Sequence, residues 1–204
     1  GPLTEPVTAD ELRDHLRETS AGLSDGQADA LITEARAWFE MKTGQALIEQ
    51  TWTLTLDTWP IGDTAWWSGV KQGSINEMNG AAVVDIALPI GPVLDVPSIK
   101  TYDEASTETV VTVQDVFHVD TTSVPARLAL KSGQSWPAAT RMVNAVVIEY
   151  TAGYGADATY VPDLIKRAIK QIAGGLYSHR GDGCESVTDA TTRALIGSFM
   201  KARI

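Results

Sequence analysis

The sequence predicts an α+β fold in which the N- and C-terminal segments form a helical bundle that carries an inserted antiparallel β domain. Apolar residues recur at helical spacing in both terminal segments, whereas short runs punctuated by prolines fill the middle of the chain. No helical stretch lies between those runs, and strands without crossover helices favour antiparallel pairing. We predict a bundle domain at residues 1–50 plus 161–204 and a β domain at residues 51–160.

Two capping signals open the predicted N-terminal helices. Thr8 and Glu11 have the spacing of a capping box, and Ser24 and Gln27 repeat it. The first helix is expected to end near Gly22. The second carries one apolar stripe and then meets a glycine, the usual helix terminator. The stripe and the glycine are Ala28, Leu31, Ile32, Ala35, Trp38, Phe39 and Gly44.

The pattern changes to a period of two at residue 51. Trp52, Leu54 and Leu56 alternate with threonines, as in a half-buried strand. Between the first two strands lies a polar loop at residues 60–80 that contains Trp66 and Trp67. Further β-like runs are predicted at residues 82–88, 98–102, 109–113, 116–119, 127–130 and 145–150.

Helical spacing returns after Pro162, a residue that suits the first turn of a helix. One face of this predicted helix is aliphatic, while Lys166, Arg167 and Lys170 lie off that face. A last short amphipathic helix is predicted at residues 188–204. It combines basic and apolar residues, which are Arg193, Leu195, Ile196, Phe199, Met200, Lys201 and Arg203.

Composition limits the class of protein. The 204 residues are 44% hydrophobic and 21% charged, which is typical of a globular chain that buries a core. No window approaches the roughly 18 uninterrupted apolar residues of a membrane span, so we expect no membrane partner. The N-terminal residues lack the basic and apolar regions of a secretion signal. The single cysteine, Cys184, excludes an intrachain disulfide and a cysteine-built zinc site, which fits synthesis in a reducing cytoplasm.

The charge is strongly acidic and unevenly spread. The formal net charge is −10, with 26 acidic and 16 basic residues. A sequence-independent DNA binder needs a basic footprint, and the chain as a whole has none. Residues 161–204 alone have a net positive balance, with 7 basic and 4 acidic residues. This end of the chain is therefore expected to meet a different surface from the rest.

No residue pattern defines a catalytic, metal or cofactor site. The three histidines lack ligand spacing to a cysteine or carboxylate, and neither a nucleophile elbow nor a Walker loop is present. Residues 153–158 fit a G-x-G-x-x-A pattern, but no parallel strand follows them, so we interpret them as a turn. The sequence thus predicts a protein that is not an enzyme and that binds no cofactor or metal.

The tryptophan pair and the C-terminal helix have two interpretations each. Adjacent tryptophans in a polar loop cannot both point inward from a strand. Either one of Trp66 and Trp67 folds over the β domain as a lid, or the pair anchors a neighbouring subunit or a ligand such as a sugar. The C-terminal helix either packs on the protein's own bundle or docks into a groove on a partner, with its basic residues setting the orientation.

In their order and spacing, these signatures resemble the head–tail connector (adaptor) proteins of long-tailed bacteriophages and of phage-derived gene transfer agents. The similarity extends from Thr8 to around Arg180. The segments that carry it include ARAWFEMKTGQALIEQT at residues 35–51, WWSGV at 66–70, L-P-x-x-P-V at 88–93, Trp136-Pro137 and TAGYG at 151–155.

The resemblance implies a structural role in a virion or phage-like particle. Such adaptors assemble as a ring of about twelve copies under the portal protein, extend the DNA channel and meet the next head–tail connector or stopper protein. The resemblance also favours docking of the C-terminal helix on the portal, and it implies that the protein is in the host cytoplasm during assembly. DNA passes through such a ring without specific binding, and an acidic lumen suits that passage because like charges repel.

Two other classes of function stay open. A ligand- or carbohydrate-binding β module would use Trp66 and Trp67 as a stacking platform. A hydrolase built on scattered carboxylates would have a deep pocket containing coupled groups with shifted pKa values.

Overall fold

A computed structural model of the chain describes residues 1–60, 85–179 and 190–200, and it confirms the predicted α+β class. The chain divides into two units, one of Gly1–Gln50 with Gly153–Ile204 and one of Thr51–Ala152. In chain order the elements are α1 (Ala9–Leu16), α2 (Asp25–Thr43), β1 (Gln50–Leu56), β2 (Asp85–Ala87), β3 (Val93–Tyr102), β4 (Glu108–Val111), α3 (Val113–Val116), β5 (Phe117–Asp120), β6 (Arg127–Leu130), β7 (Val146–Ala152), α4 (Asp163–Ser178) and α5 (Ala190–Phe199).

Local capping fixes the starts of the first two helices. The Thr8 N–H donates to Glu11 Oε2 at 2.9 Å and the Glu11 N–H donates to Thr8 Oγ1 at 3.2 Å, which confirms the predicted capping box of α1. At α2 the Ser24 N–H donates to Gln27 Oε1 at 3.2 Å. Both helices therefore begin where short-range sequence signals place them.

The ends of these helices are set by left-handed residues. Gly44 has a φ of 65° and its N–H donates to Glu40 O at 2.9 Å, so it terminates α2 as predicted. The end of α1 was predicted wrongly near Gly22. The helix stops at Leu16 because Arg17 adopts a φ of 58° and breaks the helical run.

The core of the helical unit lies between α1, α2, α4 and α5. The predicted stripe of α2 supplies buried aliphatic and aromatic side chains, and the aliphatic face of α4 packs against it. The fully buried members include Ile32, Phe39, Ile165, Ile169 and Ile172. A Cβ at Gly174 would lie 3.1 Å from Leu16 Cδ2, so this glycine admits the close packing of α1 on α4.

The first sheet of the β unit has the strand order β1-β7-β3-β4. β3 pairs antiparallel with both β7 and β4. Strand β1 alternates between half-buried and exposed residues, as predicted. Strand β3 starts at Val93, earlier than the predicted 98, because Pro97 falls in a register shift between Asp95 and Ser98 where no regular ladder bond is required of it.

The second sheet has the order β2-β6-β5, and both pairings are antiparallel. One helical turn, α3, precedes β5, although the sequence predicted no helix between the strands. The difference has a simple reason, since a single turn is too short for apolar periodicity to reveal. The strand predicted at residues 82–88 is described only from residue 85.

Residues 153–160 lie in the helical unit, whereas the sequence grouped them with the β domain. The Glu49 N–H donates to Gly155 O at 2.8 Å, and the Tyr154 N–H donates to Leu47 O at 3.2 Å. At Gly153, with a φ of 146°, a Cβ would lie 2.5 Å from Glu49 N. Only glycine permits this approach, so the segment is a tight turn, as interpreted from the sequence.

Candidate functional site

The apolar side of the C-terminal helix α5 packs on the helical unit. Ile196 is 4% exposed, and Leu195 and Phe199 are partly buried against the same core. The ring centroids of Phe199 and Phe39 are 6.0 Å apart. The Gln45 Nε2 donates to Phe199 O at 3.0 Å and so holds the last turn of α5. The apolar side of α5 thus packs on the protein's own bundle, which is one of the two interpretations given for this helix from the sequence.

The polar side of α5 faces outward. Arg193 is exposed, and Met200, directly after the helix, is 54% exposed. Lys201 and Arg203 lie outside the described residues. The candidate portal interface predicted from the sequence therefore divides into buried members and surface members, and Arg193 and Met200 are those available on the described surface.

The tryptophan pair of the predicted loop, Trp66 and Trp67, also lies outside the described residues. The β unit contains a different aromatic cluster that sequence reasoning missed. Trp59 and Trp136 stack with centroids 4.9 Å apart, and Phe117 lies 5.7 Å from each. Two Trp-Pro dipeptides, at residues 59–60 and 136–137, were the available signal.

This cluster has the contacts of a packing core. Trp59 is 8% exposed, and its Nε1 donates to Pro137 O at 2.7 Å. Phe117 is almost fully buried. Because Trp59 and Phe117 are buried, the Trp59 indole donor is satisfied and the half-buried Trp136 stacks on Trp59, this cluster does not form an open stacking platform for a sugar.

A cationic face lies on α4, and we define it by Lys166, Arg167 and Lys170 with His15 of α1. Burial, together with the charges of Lys170 and Arg167, lowers the pKa of His15. Neither Arg167 nor Lys170 forms an ion pair with any residue in the described parts of the chain. The charges of Arg167 and Lys170 thus have no ion-pair partner within the described structure.

An acidic face lies where α1 meets the start of α2, and we define it by Asp10, Asp14, Asp25 and Asp29. Arg13 bridges the two helices, because its Nη2 lies 2.6 Å from Asp10 Oδ1 and its Nη1 lies 2.7 Å from Asp25 Oδ1. Asp14 follows Asp10 by one turn, and Asp29 follows Asp25 by one turn, so each carboxylate that pairs with Arg13 has a second carboxylate on the same face of its helix.

A cavity of about 460 Å³ opens in the helical unit. Its lining is mainly apolar and includes no carboxylate; it consists of Gly22, Leu23, Gln27, Ala30, Leu31, Leu176 and Tyr177. A hydrolase of the kind considered above would need an acid pair in such a pocket, and this cavity has none. Within residues 1–60, 85–179 and 190–200, no cluster of three or more His, Cys, Asp or Glu is placed to hold a metal ion. No helix in those ranges is both long and apolar enough to cross a bilayer.

The strongly perturbed titratable groups belong to structural networks. Hydrogen bonds from Ser123 and Thr122, then from Arg127, hold the pKa of Asp120 well below its usual range. All of these groups lie in or beside the β5–β6 connection, where the carboxylate organises a turn. Arg36 has a raised pKa because Glu5 and Glu40 outweigh the effect of burial.

Comparison with solved structures finds similar proteins over almost the whole length of this chain. The chain is similar to a component of the neck of an empty gene transfer agent (GTA) particle, with a TM-score of 0.73 and 25% identity over 98% of this chain and 91% of that chain. It is similar to a component of the virion of a native GTA particle, with a TM-score of 0.73 and 25% identity over 100% of this chain and 96% of that one.

A third similar structure is a neck component of a native GTA particle, determined with C12 symmetry, with a TM-score of 0.69, 24% identity, and coverage of 96% of this chain and 89% of that one. No protein-family model and no curated protein matches the sequence. These likenesses confirm the resemblance noted in the sequence. The chain has the fold of a structural component of the gene transfer agent particle, over nearly its whole length.

Proposed function

We propose that this protein is a structural head–tail adaptor that forms a ring under the portal of a phage or phage-like particle. In that position it extends the DNA channel and links the portal to the next connector or stopper protein. The observation that carries the proposal is the similarity to neck components, which spans 98% of this chain and 91% of the similar one. Because both lengths are nearly fully covered, the proposal concerns the whole chain and not one module of it.

Symmetry in the similar particles supports a ring. Their necks were determined with C6 and C12 symmetry, so copies of a component recur around one axis there. A subunit with two different contact surfaces closes into a ring when the rotation between neighbours permits. We propose a ring of about twelve copies for this chain, by analogy with the C12 neck.

The charge of the chain supports a conduit for DNA. A net charge of −10 repels the phosphate backbone, so a duplex moving through an acidic ring does not adhere to the wall. The proposal needs no base-reading element and no catalytic group. It predicts a particle protein that encloses DNA without specific binding.

We assign the portal contact to the C-terminal end. Arg193 and Met200 are exposed on α5, and the sequence continues with Lys201 and Arg203. Ile196, which is buried, and Leu195 and Phe199, which are partly buried, hold this surface against the bundle. Trp66 and Trp67 are proposed to anchor a neighbouring subunit, since adjacent aromatic side chains are favourable anchors at interfaces.

The proposal is tested by mixing the purified chain with portal-bearing, tailless capsids of a gene transfer agent. Co-sedimentation measures binding, and electron microscopy shows whether density with the symmetry of a ring appears below the portal. Capsids that lack the portal are the matched control. We expect binding only when the portal is present. Absence of binding to portal-bearing capsids overturns the proposal, and a hit on a glycan array in its place supports the carbohydrate-binding alternative.

A further inference from the structure

Two members of the cationic face, Arg167 and Lys170, lack an acidic partner in the described parts of their own chain, whereas Lys166 lies within electrostatic reach of Asp157. Arg167 is exposed and Lys170 is half-buried, and neither forms an ion pair there. In a chain with 26 acidic and 16 basic residues, most cations would find a carboxylate nearby. A group of cations left without one is a feature of surfaces whose counter-charge comes from another molecule.

The acidic face has an excess of negative charge that the described residues of its own chain do not neutralise. Arg13 already pairs with Asp10 and Asp25. Asp14 and Asp29 are exposed and form no ion pair in the described structure. Within the described structure these two exposed carboxylates are therefore available to cations of another molecule.

The two faces flank helix α1 on different sides. Arg13 reaches from α1 to the start of α2, whereas His15, two positions later, lies within electrostatic reach of Lys170 and Arg167 on α4. Residues two apart on a helix point in widely different directions. The cationic face and the acidic face are consequently separate surfaces that do not neutralise each other within one copy.

We infer that the cationic face of one copy docks on the acidic face of a second copy of this chain. The inference rests on the proposed function, because this head-to-tail contact is the one that would join neighbours in the ring. A heterologous contact leaves one cationic and one acidic face unused at the ends, so addition continues until the ring closes. Leu164, 56% exposed and one turn before Arg167, adds apolar area beside the charges.

The test uses two charge-reversed variants of the full chain. The cation-reversed variant carries Arg167→Glu with Lys170→Glu, and the acid-reversed variant carries Asp14→Lys with Asp29→Lys. None of these four side chains forms an ion pair in the described fold, so circular dichroism should show unchanged folding. Self-association is measured by sedimentation velocity at about 50 mM salt, and by the number of copies retained on portal-bearing capsids.

Each variant alone should associate at least about tenfold more weakly than the wild type, because like charges then face each other. Mixing the two variants should restore association to within about threefold, since every reversed face meets a reversed partner. A single chain that carries all four substitutions should recover in the same way. Raising the salt to about 0.5 M should weaken the wild-type contact, because the pairs lie at the surface.

The matched control is Glu104→Lys with Asp115→Lys, which makes the same charge change as the acid-reversed variant at exposed positions in the β unit. This control should associate like the wild type. Variants that associate normally, or a mixture that fails to recover, overturn the inference, as does a wild type that associates neither free nor on capsids. If only the capsid binding of the cation-reversed variant is lost while self-association persists, the face belongs to the portal and the inference is overturned. A wild type that self-associates in solution but fails to bind portal-bearing capsids overturns the proposed function and not this contact.

Discussion

Among single residues, Arg36 is a buried charge of the helical unit that pairs with two carboxylates. It is 7% exposed, its Nε lies 2.7 Å from Glu5 Oε2, and its Nη1 lies 2.7 Å from Glu40 Oε2. Glu40 Oε1 also accepts the Leu47 N–H at 3.0 Å. Through these contacts one buried guanidinium ties the N-terminal segment and the chain after α2 to the same helix.

Replacing this cation should destabilise the helical unit. We expect Arg36→Ala to lower the free energy of unfolding by about 3 kcal/mol, because Glu5 and Glu40 lose their shared counter-charge while largely desolvated. Urea unfolding followed by circular dichroism measures the change. Arg17→Ala, at an exposed position, is the control and should change stability by less than about 0.5 kcal/mol. Equal stability of the two variants would contradict this account of Arg36.

Asp120 has the corresponding role in the β unit. Its carboxylate accepts hydrogen bonds from Ser123 Oγ at 2.6 Å, from Thr122 Oγ1 at 2.7 Å and from Arg127 Nε at 3.1 Å. These donors lower the pKa of Asp120 from its ordinary 3.8. A carboxylate whose pKa is depressed on folding stabilises the fold above its unfolded pKa, and this stabilisation is lost as the pH falls through the folded value.

The pH dependence is visible at the turn itself. The amide N–H groups of Thr122 and Ser123 also donate to Asp120, at 3.1 and 3.2 Å. We expect Asp120→Asn to reduce their hydrogen-exchange protection at pH 7, with the difference from the wild type shrinking as the pH falls below 3.8. Asp115→Asn, on the exposed side of α3, should leave both amides unchanged. Equal protection in Asp120→Asn and wild type at pH 7 would rule out this role.

Among the secondary-structure elements, the features that depend on nearby residues could be predicted from the sequence, whereas the features that depend on tertiary contacts could not. The capping box at Thr8 and the terminator Gly44 act within one turn of chain, so the sequence alone placed them. The early end of α1 depends on the left-handed conformation of Arg17, for which the residue type gives no indication. The extension of β3 back to Val93 depends on pairing with β7, a contact made far along the chain.

For the candidate surfaces as well, the sequence showed the local composition but not the arrangement that depends on packing. The positive balance at residues 161–204 was visible in the sequence, but the finding that Arg167 and Lys170 have no ion-pair partner among the described residues needed the packed helices. The acidic face was not predicted at all, because it forms only where Arg13 brings α1 beside α2. Likewise, α5 has an amphipathic pattern that suits both a docking arm and a packed helix, and only the core contacts of Ile196 distinguish them.

For α5 the buried and exposed residues should therefore respond differently. We expect Ile196→Ala to lower the free energy of unfolding by about 2 kcal/mol or more, because it leaves a cavity between α5 and the bundle. Arg193→Glu, on the exposed side, should leave stability unchanged and weaken binding to portal-bearing capsids. Urea unfolding and capsid co-sedimentation give the two readouts. Wild-type capsid binding by Arg193→Glu would remove the assignment of the portal contact to this helix.

At the scale of the whole molecule, charge decides which partners are compatible with the chain. The net charge is −10, and the positive residues of α4 are too few to form a continuous basic track along a duplex. The proposed contact between copies also covers the cationic face, since the cationic face of each copy meets the acidic face of its neighbour. An assembled ring would then present to DNA the acidic remainder of the chain.

Because of this charge balance, the free chain should bind duplex DNA only very weakly. We expect a dissociation constant weaker than about 10⁻⁴ M at 0.15 M salt, because few phosphates can be neutralised and the rest of the chain repels the duplex. Fluorescence anisotropy with a labelled duplex measures the affinity. The variant with Arg167→Glu and Lys170→Glu is the control, and it should behave like the wild type. Tighter binding that falls steeply with salt and disappears in this variant would indicate that the cationic face binds phosphates. Such binding is incompatible with a channel wall along which DNA must slide freely.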